Sequence, residues 1–126
     1  MDCGDTLLIP APGAVATPHL WIVITQPHPE THLCALVSVT TLRNSKDQTV
    51  LLRPGDHPFI RHDSTIFFGD GMIVDARRLE AEVRAGLALV REKCPPATLK
   101  LVQDGATASP FTRPKFLRFC REHWRQ

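Results

Sequence analysis

Two histidines, two carboxylates, an arginine and a hydroxyl crowd into Asp56-His57-Pro58-Phe59-Ile60-Arg61-His62-Asp63-Ser64, a short connection between apolar runs. Imidazoles exchange protons near neutral pH, a guanidinium holds a fixed positive charge, and a hydroxyl can donate to an oxyanion. That set suits proton transfer beside a phosphate. His19, immediately before Leu20-Trp21-Ile22-Val23-Ile24, adds an imidazole at the head of an apolar strand. Other common chemistries find no motif: there is no G-x-S-x-G elbow, no Walker-type loop and no G-x-G-x-x-G.

Metal ligation and thiol chemistry are disfavoured on the same grounds. His28 and His32 have the spacing of a helical metal pair, but Pro27 and Pro29 forbid a helix there. Cys3, Cys34, Cys94 and Cys120 form no C-x-x-C pair, and Cys34 sits in an apolar run, which predicts reduced thiols and a buried, inert Cys34.

These groups must be positioned by something rigid. Thr6-Leu7-Leu8-Ile9 reads as a strand ending at Pro10-Ala11-Pro12-Gly13, and His19 to Thr25 as a second. Leu33 to Thr41 is a third, apolar on both faces and so expected at the centre of a sheet. Thr49-Val50-Leu51-Leu52, Ser64 to Phe68, and Met72-Ile73-Val74 add three more. Helical spacing begins at Asp75, a natural N-cap, with Leu79, Val83 and Leu87 on one face and Gly86 as a stop. A helix starting at Pro95-Pro96 is expected to end at a capping Gly105. Ser109-Pro110 opens a closing segment whose Phe116, Phe119 and Cys120 share one face and whose Arg118, Arg121 and Arg125 share the other.

The pattern predicts an α+β, mainly β protein: one domain over 1–126, a small curled antiparallel barrel over 4–75, and a helical, basic part over 76–126. At 126 residues and 43% hydrophobic content the chain can bury one core. No apolar run approaches a membrane span and the N-terminus has no leader-like run, so a soluble, cytoplasmic protein is expected. The net charge of +2 hides a division, net −4 over residues 1–75 and net +6 over 76–126. The basic half suits a nucleic-acid backbone or an acidic protein.

Gly4-Asp5-Thr6-Leu7-Leu8, His19-Leu20-Trp21-Ile22-Val23-Ile24-Thr25, Leu36-Val37-Ser38-Val39-Thr40-Thr41 and Arg61-His62-Asp63-Ser64-Thr65-Ile66, in this order, resemble the MazF/PemK-like superfamily of toxin endoribonucleases. The resemblance covers roughly residues 4–75. It implies an SH3-like barrel with added helices, a type II toxin–antitoxin system, and cleavage of single-stranded RNA without metal or cofactor. It implies an antitoxin protein and a second copy of the chain as partners. The family's catalytic arginine position falls on His19, its catalytic threonine on Thr40, and its Asp-Ser pair on Asp63 and Ser64.

The histidine at the arginine position changes the chemistry available, because it can move a proton near neutral pH. His19 and His57 are expected to divide the acid and base roles, with Thr40 and Ser64 bonding phosphate oxygens. Arg61, Asp63, Arg118 and Arg121 are expected to bind substrate. Each residue has a plainer role open to it: His57 in a turn with Gly55 and Asp56, His62 and Asp63 as a surface pair, His19 satisfied by a backbone carbonyl. The competing reading is a non-catalytic SH3-like barrel module that binds a protein partner or nucleic acid.

Overall fold

A computed structural model describes residues 1–10 and 18–124. Ala11, Pro12 and Gly13 of the expected loop, and Arg125 of the closing helix, lie outside the described residues. Six strands are formed, β1 (Thr6–Ile9), β2 (His19–Val23), β3 (Leu33–Thr41), β4 (Ser64–Ile66), β5 (Met72–Asp75) and β6 (Leu89–Arg91), with helices α1 (Ala76–Arg84), α2 (Pro96–Ala108) and α3 (Pro114–Trp124). Every ladder is antiparallel, in the order β4-β3-β2-β1-β6, and β5 also pairs with β3. No ladder among the described residues closes this sheet into a barrel.

The sheet is covered on both faces, which explains the apolar character of β3. Leu20, Ile22, Ala35, Val37 and Ile66 face a core shared with Val102, Ala106, Phe116 and Cys120 of α2 and α3. Leu7, Val23, Cys34 and Leu36 face a smaller core with Ala76 and Leu79 of α1. Each such fully buried aliphatic side chain stabilises the fold by about 1.5–3 kcal/mol. Because α1 is short, it covers only the end of its face that carries Val23, Cys34 and Leu36. Trp21, Ser38, Thr40 and His19 continue that face by strand alternation, beyond the buried residues that α1 covers.

The long strand β3 serves two partners along one edge. Leu36 pairs with Met72 in β5 and Val39 with Ile66 in β4. Val37 and Ser38 therefore face the five residues Phe67 to Gly71, which fold into a wide bulge containing the 3-10 turn Phe68–Asp70. Bulges bend and twist the strand pair that carries them.

Three expectations are corrected. Thr49 to Leu52 makes no strand, only a bridge from Leu52 to Ser64, because the Asp47 carboxylate takes the Thr49 N–H and hydroxyl. Gly105 does not end α2. It lies inside the helix where a Cβ would press on Val50 and come within 3.0 Å of Phe68, so its lack of a side chain serves packing. The helix begun at Asp75 stops at Arg84, with Gly86 at a φ of 77° as the expected stop, but Leu87, expected on its apolar face, is exposed beyond it.

Candidate active site

The groove at this site comes from the way β2 leaves β3. Strand β2 stays paired with β1 as far as Ile9↔His19, but its ladder with β3 stops at Trp21↔Ser38. Beyond that point β3 keeps its ladder with β4 on its other edge, and its β2-side edge is left unpaired. Into the resulting split opens a cavity of about 490 Å³ lined by His19, Thr40, Arg61 and His62, with Leu20, Val39, Phe59 and Ile60 as apolar walls. His19, Thr40 and Asn44 also line a second hollow, of about 420 Å³, on the sheet face beyond α1. The two hollows share these three residues as a common wall.

His19 is exposed, and its Nδ1 lies 3.4 Å from the Val39 carbonyl, an oxygen that a longer β2–β3 ladder would have used. With Nδ1–H donating there, Nε2 is left to face the groove. Continuing the Trp21↔Ser38 register by two residues sets Thr40 opposite His19 on the same face. Arg61 and His62 reach the cavity from the loop before β4, both exposed. So the structure brings His19, Thr40 and Arg61 together, and adds His62 to them.

Ser64 lines the same cavity in a different manner. It pairs with Thr41 and alternates with Ile66, so its side chain points to the α2–α3 face, opposite to that of His19 and Thr40. It is 7% exposed, and its hydroxyl donates to the His62 carbonyl at 2.8 Å. Its proton is committed to holding the loop.

His57 is not in the groove. It is 2% exposed, its Nδ1 accepts from the Phe59 N–H at 3.0 Å, and its Nε2 lies 2.6 Å from the Glu92 carbonyl. Thr6 Oγ1 donates to the same carbonyl and lies 3.3 Å from that nitrogen. Accepting at Nδ1 and donating at Nε2 uses both nitrogens of a neutral ring, leaving none for a substrate. Its placement fits the turn reading, with Asp56 N–H bonded to the Arg53 carbonyl and Ile60 N–H to that of His57. The ring anchors the loop whose next residues are Arg61 and His62.

Asp63 is exposed and lines a neighbouring hollow with Arg43 and His62. Arg118 and Arg121 lie elsewhere, in a depression on α3 with Pro114 and Glu122. The end of α3 docks at the exit of β2, where Trp124 Nε1 donates to the Ile24 carbonyl at 2.8 Å. His19 stands at the other end of that strand, about 17 Å away at roughly 3.4 Å per residue.

The groove is bordered by three cations and two carboxylates, Asp63 and Asp70, a formal net charge of +1 in an acidic half-chain. Of the four Lys and Arg residues in positions 1–75, Arg43, Lys46 and Arg61 surround it. None of the three enters an ion pair among the described residues. No motif marks Arg43 and Lys46 as site residues; the signal they carry is that two cations stand close to Thr40 in a half of the chain poor in them.

Thiols take no part. Burial pushes Cys34 and Cys94 up to about 11 and Cys120 to about 12, so all three stay protonated at neutral pH. Beneath the groove, Asp47 is wholly buried. Its carboxylate accepts from Thr49 N–H and hydroxyl, Phe68 N–H and Ser109 hydroxyl, and its carbonyl accepts from Thr65 and Ser45. This network ties the segment carrying Arg43 and Lys46 to the bulge and to the end of α2. No group of three or more His, Cys, Asp or Glu side chains among the described residues is placed to hold a metal ion. No helix among them is long and apolar enough to cross a membrane. No family model and no curated protein matches this chain.

Proposed function

We propose that the chain is a divergent MazF/PemK-like toxin endoribonuclease that cleaves single-stranded RNA in the groove between β2 and β3, within a type II toxin–antitoxin system. The observation that carries the reading is the convergence of His19, Thr40, Arg61 and His62, from three separate segments, on one cavity. The long β3, bent between two partners, supports reading the sheet as an opened SH3-like barrel. An antitoxin protein and a second copy of the chain belong to the same reading as partners.

In the reaction so proposed, His19 Nε2 takes the proton of a ribose 2′-hydroxyl as its oxygen attacks the adjacent phosphorus. Its Nδ1–H bond to Val39 would hold the ring and strengthen as the ring becomes cationic. The P–O5′ bond breaks, and His62 as imidazolium gives its proton to the leaving oxygen. The Arg61 guanidinium and the Thr40 hydroxyl donate to the non-bridging oxygens as negative charge builds on them. The products are a 2′,3′-cyclic phosphate and a 5′-hydroxyl, with the proton balance closed by the two histidines. His62 here replaces His57 in the acid role, since His57 is buried with both ring nitrogens bonded.

The second reading, a non-catalytic module binding RNA or a protein in the same groove, draws on the commitment of Ser64 and His57 to structure. One assay separates them: incubation of unstructured RNA with the protein in chelator. Cleavage abolished by His19→Ala supports the nuclease, and retention of intact RNA by the protein supports the module.

A further inference from the structure

The second hollow of the groove has its own composition. Trp21 and Ser38, a directly opposed pair, form its floor, and the bulge between β4 and β5 hangs Phe67 and Asp70 beside them. Lys46 closes the rim. Phe67 is buttressed from behind by Phe111, edge to face at 5.9 Å. Gly69 lets its ring lie over the backbone, since a Cβ there would sit 2.9 Å from it. Trp21 Nε1 has no hydrogen-bond partner among the described residues, in contrast with Trp124 Nε1, which is bonded to Ile24. Trp21 packs one side against the α1-side core, yet both rings stay only partly buried at the sheet surface, with unpaired polar groups between them, and so offer a stacking surface.

We infer that this hollow is a nucleobase subsite, which holds a base next to the scissile phosphate against Trp21 and Phe67 and selects bases bearing an exocyclic amino group. The inference rests on the proposed action on single-stranded RNA and adds what that site reads. Every base offers a π-face, so the rings alone give affinity without discrimination. Asp70 supplies the discrimination. It is exposed, makes no ion pair among the described residues, and as a carboxylate can only accept hydrogen bonds. A carboxylate facing a polyanion repels the backbone but accepts well from the amino groups of cytosine, adenine or guanine, which uracil lacks. Lys46 beside it gives the neighbouring phosphate a counter-charge. The bulge is the device that makes this possible, because it alone places an acidic side chain beside Ser38.

The test uses 2′-O-methyl oligonucleotides, which have no 2′-hydroxyl to attack, so binding is read apart from cleavage. In a Trp124→Phe background Trp21 is the only indole, and its emission should be quenched on titration with oligo(C) or oligo(A). Oligo(U) should bind about 10-fold more weakly, the scale of one well-made base-edge contact. Asp70→Ala, at an exposed position, should bring the oligo(U) and oligo(C) affinities within about 2-fold of each other, because the amino-group contact is lost. Equal affinities for the parent, an unchanged ratio in Asp70→Ala, or no change in Trp21 emission on saturation would each overturn the subsite. Base-selective binding without cleavage of ordinary RNA would overturn the nuclease reading and leave the subsite standing. Cleavage that is indifferent to the flanking base would do the reverse.

Discussion

The Nδ1 atom of His19 lies 3.4 Å from the carbonyl oxygen of Val39, just past the last ladder pair of β2 and β3. The strand separation thus frees the carbonyl that orients the imidazole and opens the cavity that the imidazole faces. His19→Gln keeps a donor for Val39 but cannot cycle a proton, so it should fold normally and cut RNA as poorly as His19→Ala, about 10²–10⁴ below the parent. Far-ultraviolet circular dichroism and a cleavage time course check the two halves of this statement.

His57 should behave as a structural residue. His57→Ala strands the Phe59 N–H in the interior and leaves the Glu92 carbonyl with Thr6 Oγ1 as its donor. A loss of about 2–4 kcal/mol is expected in urea denaturation, from the cavity and the unpaired N–H together. His19→Ala, at an exposed site, should leave the midpoint within about 0.5 kcal/mol of the parent.

Asp47→Ala removes the acceptor for four donors at once. Each hydrogen bond to a charged group contributes about 1.5–3 kcal/mol, though not additively, so a loss of at least about 3 kcal/mol is expected in the same assay. Ser109→Ala, which deletes one of the four, should lose about 1–2 kcal/mol.

Much of this framework was legible in the residues. The strands at Thr6–Ile9 and Leu33–Thr41 have the bounds that their alternation and flanking turn residues indicated, and Asp75 caps α1 through the Arg77 N–H. Strand β6 was not legible: Leu89 and Val90 are exposed, so no buried face marks them, and only pairing with β1 makes them a strand. The role of His57 was hidden because its partner carbonyl belongs to Glu92, 35 residues away. Ser64 was misjudged on orientation, because the register of β4 against β3 decides which face a strand residue takes and local sequence does not state it.

The start of α1 should hold its charge to low pH. The Arg77 guanidinium, then its backbone N–H, hydrogen-bonds the Asp75 carboxylate and holds its pKa at about 2. A folded value below the unfolded one stabilises the fold above the ordinary carboxylate range, and this contribution is lost as pH falls towards 2. Carboxyl chemical shifts should show Asp75 titrating below ordinary carboxylates, and Arg77→Ala should move it up.

Salt and charge reversal distinguish the two basic regions. Arg43→Glu with Lys46→Glu should weaken RNA binding and flatten its dependence on salt, by about one unit of slope per lost phosphate contact. Arg118→Glu with Arg121→Glu, remote from the groove, should leave both unchanged. The reverse pattern would put RNA on α3.

Product analysis of a single-stranded RNA after incubation with the protein in chelator tests the groove chemistry most directly. Mass spectrometry should find 2′,3′-cyclic phosphate and 5′-hydroxyl ends, with a bell-shaped pH dependence that His19→Ala and His62→Ala each remove and His57→Gln does not. RNA left intact by the parent, or cut at the parental rate by both His19→Ala and His62→Ala, would contradict it.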